Sequence, residues 1–106
     1  MRQIKTELYI AVGDERSELS EEAWELFLSE IVTSRFPKGI TVLPGSGQWF
    51  NRHLGKHQNL KLKVVVIIHE STPRDREKIE EIRSTWKDRY PCESVLKVEQ
   101  EVEVSF

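Results

Sequence analysis

Five consecutive β-branched residues, Val64-Val65-Val66-Ile67-Ile68, constrain the fold of this 106-residue chain more than any other feature. Branching at Cβ favours the pleated strand, and successive strand residues point to opposite faces. A strand of this composition therefore needs apolar cover on both sides. Helices packed on one side of a sheet supply one cover only, so something else must lie against the other. The run is far short of the roughly 20 apolar residues that cross a bilayer.

The flanking sequence supplies the remaining elements. Leu8, Ile10 and Val12 alternate with Tyr9 and Ala11, a strand that Gly13-Asp14 ends. Ser20 is a helix cap, and Glu21 and Glu22 suit the positive end of the helix dipole. Trp24, Phe27, Leu28, Ile31 and Val32 follow the spacing of an amphipathic helix that Pro37 and Gly39 stop. Ile40 to Leu43 reads as a second strand, interrupted by a bulge or bend at Pro44-Gly45-Ser46-Gly47 and resumed at Gln48-Trp49-Phe50. A long polar connection from Asn51 to Asn59 leads to a third strand, Leu60 to Ile68. Ser71-Thr72 and Pro73 start a second helix with the buried stripe Ile79, Ile82, Trp86 and Tyr90, ended by Pro91. In the last strand Leu96, Val98, Val102, Val104 and Phe106 share one parity. Lys97, Glu99, Glu101 and Glu103 share the other, which reads as the solvated side. The order β-α-β-β-α-β over residues 1–106 predicts one α+β domain, a ferredoxin-like two-layer sandwich with both helices on one face of a four-stranded antiparallel sheet. The third strand should lie beside the first in the middle, with the second and fourth at the edges.

Three covers are open for the helix-free face: a second copy stacked sheet to sheet, the chain's own loops, or a ligand cavity in a monomer. A homodimer is the preferred reading, because large apolar patches are uncommon on monomers. Charge adds to it. No acidic residue lies between Glu30 and Glu70, an interval that holds Arg35, Lys38, Arg52, Lys56, Lys61 and Lys63 with all three histidines. A dimer could set Glu99, Glu101 and Glu103 near the partner's basic hairpin.

Composition excludes several classes. Sixteen basic against eighteen acidic side chains leave a net charge of −2, so the chain is not a generally basic nucleic-acid binder. Threading also splits the basic interval into Arg35, Lys38 and His69 at one sheet end and Arg52, His53, Lys56 and His57 at the other, which is no continuous phosphate track. The N-terminus lacks the features of a secretory signal, and Cys92 is the single cysteine. A cytoplasmic location is expected, with neither membrane nor nucleic acid as partner. His53 and His57 are four apart in a predicted loop, where spacing carries no geometry, so neither a metal nor another cofactor is called for. Arg89 stands near Cys92 and could lower its pKa, but no base stands at a diagnostic distance. Gly45-Ser46-Gly47 lacks the lysine and spacing of a P-loop. Gln48 and Trp49 follow two glycines, where a bent strand could aim an amide and an indole N–H at a polar ligand.

The stretch Thr33-Ser34-Arg35-Phe36-Pro37-Lys38-Gly39-Ile40-Thr41-Val42-Leu43, continuing to Gly47-Gln48-Trp49, resembles the hallmark segment of the bacterial family called domain of unknown function 3574. Glu93-Ser94-Val95-Leu96 and Val104-Ser105-Phe106 also look like it. The resemblance implies a small α/β protein and no particular activity. It maps the hallmark onto Arg35, Phe36, Pro37, Gly39, Gln48 and Trp49. The chain departs from the pattern at Ser34, where proline is usual, and at Phe50, where arginine is expected. Leu60 and Leu62 stand where members often carry glutamate and serine before the lysine matched by Lys63. The ligand-binding candidates are Arg35, Lys38, Gln48, Trp49 and His69, for a small polar or anionic ligand. Three readings follow: a homodimer that binds such a ligand, an enzyme of the dimeric α/β-barrel type with His69 or Tyr9 as acid or base, and an interaction module that lends an edge strand.

Overall fold

Strands β1 (Arg2–Gly13) and β3 (Lys56–His69) form the centre of a four-stranded antiparallel sheet, flanked by β2 (Thr41–Asn51) and β4 (Leu96–Glu103) in the order β2-β3-β1-β4. The structure, a computed structural model, describes residues 1–92 and 94–106; Glu93 of the family-like Glu93–Leu96 stretch lies outside the described residues. Alternation dictates what β1 buries: Ile4, Thr6, Leu8, Ile10 and Val12 point to the helices. From β3 they are joined by Val65 and Ile67. This is the ferredoxin-like arrangement that the element order predicts.

Ser20 starts helix α1 (Glu21–Phe27) by accepting the Ala23 N–H at 3.1 Å. Contrary to the expected unbroken α-helix, residues Leu28–Thr33 continue it as a π-helix. Burial explains the widening. Trp24 and Phe27 are buried three residues apart, but the next buried residue, Val32, comes five later. In a regular α-helix five residues rotate a side chain by about 140°, whereas a turn closed between residues i and i+5 returns it to the same face.

Thr72 caps helix α2 (Pro73–Arg89) by accepting the Asp75 N–H at 3.1 Å, with Pro73 in the first turn where its missing N–H costs nothing. Ile79, Ile82 and Trp86 are buried, and Tyr90 packs on Trp86. Trp86 meets Phe27 edge-on with ring centroids 4.9 Å apart and Trp24 at 5.9 Å, so an aromatic cluster locks the helices together.

Three strand expectations are corrected. First, β2 is continuous: Pro44, Gly45, Ser46 and Gly47 pair one for one with Lys63, Leu62, Lys61 and Leu60, without bulge or bend. Proline is tolerated there because β2 is an edge strand, whose outward side faces no further strand of the sheet. Second, the hairpin connection is short. Residues 52–55 form the turn, Asn51 Oδ1 accepts the N–H groups of His53 and Leu54, and Gly55 takes φ +65°. Third, the charged parity of β4 faces the helix layer, not solvent on the open side. Glu99 meets Arg76 at 3.9 Å, Lys97 meets Glu80 at 3.2 Å, and Glu101 and Glu103 take Arg2. The expected pairing of these glutamates with a partner's hairpin loses its basis.

Burial would raise the Glu80 pKa, but Lys97 and Arg83 outweigh it and hold the carboxyl below its ordinary value. Arg83 also donates to the Val95 carbonyl at 2.8 Å, tying α2 to the chain entering β4.

Candidate functional site

Strand pairing fixes the side chains on the helix-free face row by row. Lys5 lies between Ile68 and Gln100, and Glu7 between Val66 and Val98. Tyr9 lies between Val64 and Leu96, and Ala11 beside Leu62. From β2 this face receives Thr41, Leu43, Gly45, Gly47 and Trp49. Val64 and Val66 are half-buried only by their neighbours in the sheet. Leu43 remains 49% exposed, Ile68 39%, Leu96 51% and Val98 37%. Among the described residues the loops thus leave Leu43, Ile68, Leu96 and Val98 largely uncovered, while the segments after β1 and after α2 reach only the cleft at the hairpin end.

Toward the hairpin the face becomes a cleft of about 900 Å³ lined by Tyr9, Ala11, Leu60, Leu62, Trp49 and Leu96, among others. Its depth follows from small residues. Neither Gly45 nor Gly47 has a positive φ. A Cβ on either would meet no atom closer than 3.4 Å, so backbone shape and crowding do not demand glycine at these positions. Glycine inside a strand weakens it and marks places where another group approaches closely. Here the two glycines leave Leu60 and Leu62 bare as a floor, with the half-exposed Trp49 ring at one end and Tyr9 with Leu96 at the other.

The sequence-predicted site residues fall into two separate places. Arg35, Lys38 and His69 do come together, in a smaller pocket of about 360 Å³ with Phe36, Thr72 and Lys78. Gln48 and Trp49 stand eight residues along β2, about 26 Å away at strand spacing. Alternation turns these two to opposite sides of β2, where Gln48 donates to Asn59 Oδ1 at 3.3 Å, yet both residues line the cleft. Arg35, Gln48 and Trp49 thus share no single site. Arg35 donates to Glu81 at 3.1 Å and to the Ile31 carbonyl at 3.0 Å, bracing the π-helical turn against α2. His69 is buried, and both ring nitrogens are engaged. Nδ1 lies 2.8 Å from the Glu70 carbonyl, which can only accept, so Nδ1 carries the proton and Nε2 accepts from the Thr6 hydroxyl at 2.7 Å. Phe36 lies in the core, and Gly39, with φ +152°, turns the chain into β2.

At the other sheet end His57 lies on β3 and packs edge-on against Phe50 at 5.3 Å, while His53 sits in the turn. Among the described residues no three His, Cys, Asp or Glu side chains group as a metal site, and no helix is long and apolar enough to cross a membrane. Burial pushes the Cys92 thiol up, against a weaker pull from Lys87, so the expected lowering by Arg89 does not arise.

Residues that sequence reasoning missed are Lys5 and Glu7. On the open face Lys5 Nζ lies 3.9 Å from Glu7 Oε2, and the Tyr9 hydroxyl donates to Glu7 Oε1 at 3.4 Å. Their shared odd parity with Tyr9 was the available signal.

Residues 5–106 match the family model described as "Protein of unknown function (DUF3574)". No match was found among curated proteins. Among solved structures, the chain is similar to a phage SAM lyase in complex with S-methyl-5'-thioadenosine. The identity is 15% and the TM-score 0.71, covering 93% of this chain and 81% of the lyase chain. At that identity the likeness shows the fold.

Proposed function

The chain belongs to the DUF3574 family of proteins of unknown function, and on that footing we propose that it acts as a homodimer stacked open face to open face, with the cleft beside Trp49 receiving a small, partly aromatic ligand. One observation carries this reading: apolar side chains from all four strands stand half-exposed on a face that, among the described residues, no helix covers. Contiguous patches of this kind mark interaction surfaces, and sheets stacked about 10 Å apart bury such side chains against each other. The edges favour face over edge as the contact. Pro44 interrupts the outer N–H row of β2, and Glu99, Glu101 and Glu103 put charge along β4; both devices oppose strand addition.

The ligand reading rests on the apolar floor and the tryptophan wall, which suit a flat ring system. The similar lyase structure holds a purine nucleoside thioether, and that chemistry supplies the first probe. Trp49 and the buried Trp86 line the cleft whereas the buried Trp24 does not, so changes in tryptophan emission on ligand addition report on the cleft. Titration with S-methyl-5'-thioadenosine should quench the emission, and Gly47→Val, which fills the floor, should abolish the response while the protein stays folded. Light scattering coupled to gel filtration should give a dimer at micromolar concentration in both low and high salt, because apolar contact is not screened. A monomer in both would end the dimer reading. An emission unchanged by the probe would remove the nucleoside thioether as the ligand.

A further inference from the structure

We infer that a reciprocal ion pair, Lys5 of each copy with Glu7 of the partner subunit, sets the register of the stacked dimer. This rests on the face-to-face reading above and adds the contact that orients it. Among the described strand residues, the open face carries charge at Lys5 and Glu7, in its middle, and at Lys56 near the hairpin tip. Both central groups are partly buried already, with side-chain exposures of 36% and 23%. A second sheet laid over them would desolvate them further. Buried charges without partners are strongly destabilising, and like charges brought together cost several kcal/mol.

Two identical faces can stack about an in-plane two-fold axis in two ways. With the axis along the strands, Lys5 meets its own copy and so does Glu7, which repels twice. With the axis across the strands at the level of Thr6, Lys5 of one copy meets Glu7 of the other, and the contact occurs twice. In an isologous interface each contact returns as its mirror, and a lysine and a glutamate two residues apart on one strand satisfy that condition about the residue between them. The same axis sets Val66 against Ile68 of the partner subunit and Val98 against Gln100 of the partner subunit, so each ion pair is flanked by an apolar contact on the β3 side and by a neutral amide on the β4 side. The overlap runs from Arg2 to Ile10 on β1. At strand spacing it buries on the order of 500 Å² per copy, close to the total of about 1,000 Å² that a specific interface needs. The cleft floor at Leu60 and Leu62 lies beyond the overlap and stays accessible.

Charge reversal separates the possibilities. Lys5→Glu alone and Glu7→Lys alone each turn two attractive contacts into two repulsive ones, and each should dimerise at least about 100-fold more weakly than the native chain. An equimolar mixture of the two variants restores complementary contacts and should recover native affinity, as should the chain carrying both reversals. Analytical ultracentrifugation reads the affinities, and circular dichroism checks that each chain is folded. Single variants that dimerise like the native chain overturn the pairing while leaving the stacked dimer standing, and so does a mixture that stays monomeric. A mixture tighter than the native dimer assigns the axis along the strands and also overturns it. A native chain that is itself monomeric at micromolar concentration removes the dimer and the pairing together.

Discussion

Replacing Trp86 by alanine is expected to remove about 3–5 kcal/mol of folding free energy, the range for truncating a large buried aromatic. Trp86 is fully buried and touches three other rings: Phe27 at 4.9 Å, Trp24 at 5.9 Å and Tyr90 at 4.4 Å between centroids. The cavity would open where α1, α2 and the sheet meet, with rigid rings on its walls that collapse poorly into the space. Domains of this size have about 5–15 kcal/mol in total, so the variant should sit near the edge of stability. Urea unfolding followed by circular dichroism should show the midpoint falling by at least about 1 M, since small domains lose roughly 1–3 kcal/mol per molar urea. A loss below about 1 kcal/mol would mean that the aromatic cluster is not the keystone of the helix layer.

How much of this was legible in the sequence depends on which interactions decide each element. The central strands were readable because β-branched residues and strict alternation in Leu8, Ile10 and Val12 act locally, and the order of elements then leaves few topologies. Strand β2 was misread at Pro44-Gly45-Ser46-Gly47 because its local preference is to break. What holds it straight is the row of bonds to Lys63, Leu62, Lys61 and Leu60, residues that come much later in the chain. The π-helical turn escaped because Leu28, Ile31 and Val32 fit helical spacing either way, and only packing selected Val32 for burial. In β4 the alternation was visible but its sign was not. Apolar parity was assigned to the core, whereas Leu96 and Val98 point to the open face and the acidic parity finds Arg2, Arg76 and Lys97 on the helix side. That reversal carries the apolar surface of the open face out to its β4 edge. For the site, the threading of β2 separates Gln48 and Trp49, which both line the cleft, from Arg35 at the other end of the sheet.

Val98→Asp should abolish dimerisation without unfolding the chain. Val98 is on the open face of β4, beside Glu7 and 37% exposed in the single chain. The isolated fold therefore loses little burial, and the added repulsion across the strands from Glu7 costs roughly 0.2–1 kcal/mol. In the stacked dimer the same position lies close to the two-fold axis, so one substitution introduces two carboxylates, each set against the neutral side chain of Gln100 of the partner subunit. Desolvating an unpaired carboxylate costs several kcal/mol even after relaxation, which corresponds to a dimer weakened at least about 100-fold. Leu26→Asp is the control: Leu26 is 57% exposed on α1, away from the sheet face, and its replacement should leave association unchanged. Sedimentation of both variants at several concentrations distinguishes the outcomes. If Val98→Asp sediments as a dimer with native affinity while remaining folded, the open face does not stack on itself, and its apolar residues must meet another partner.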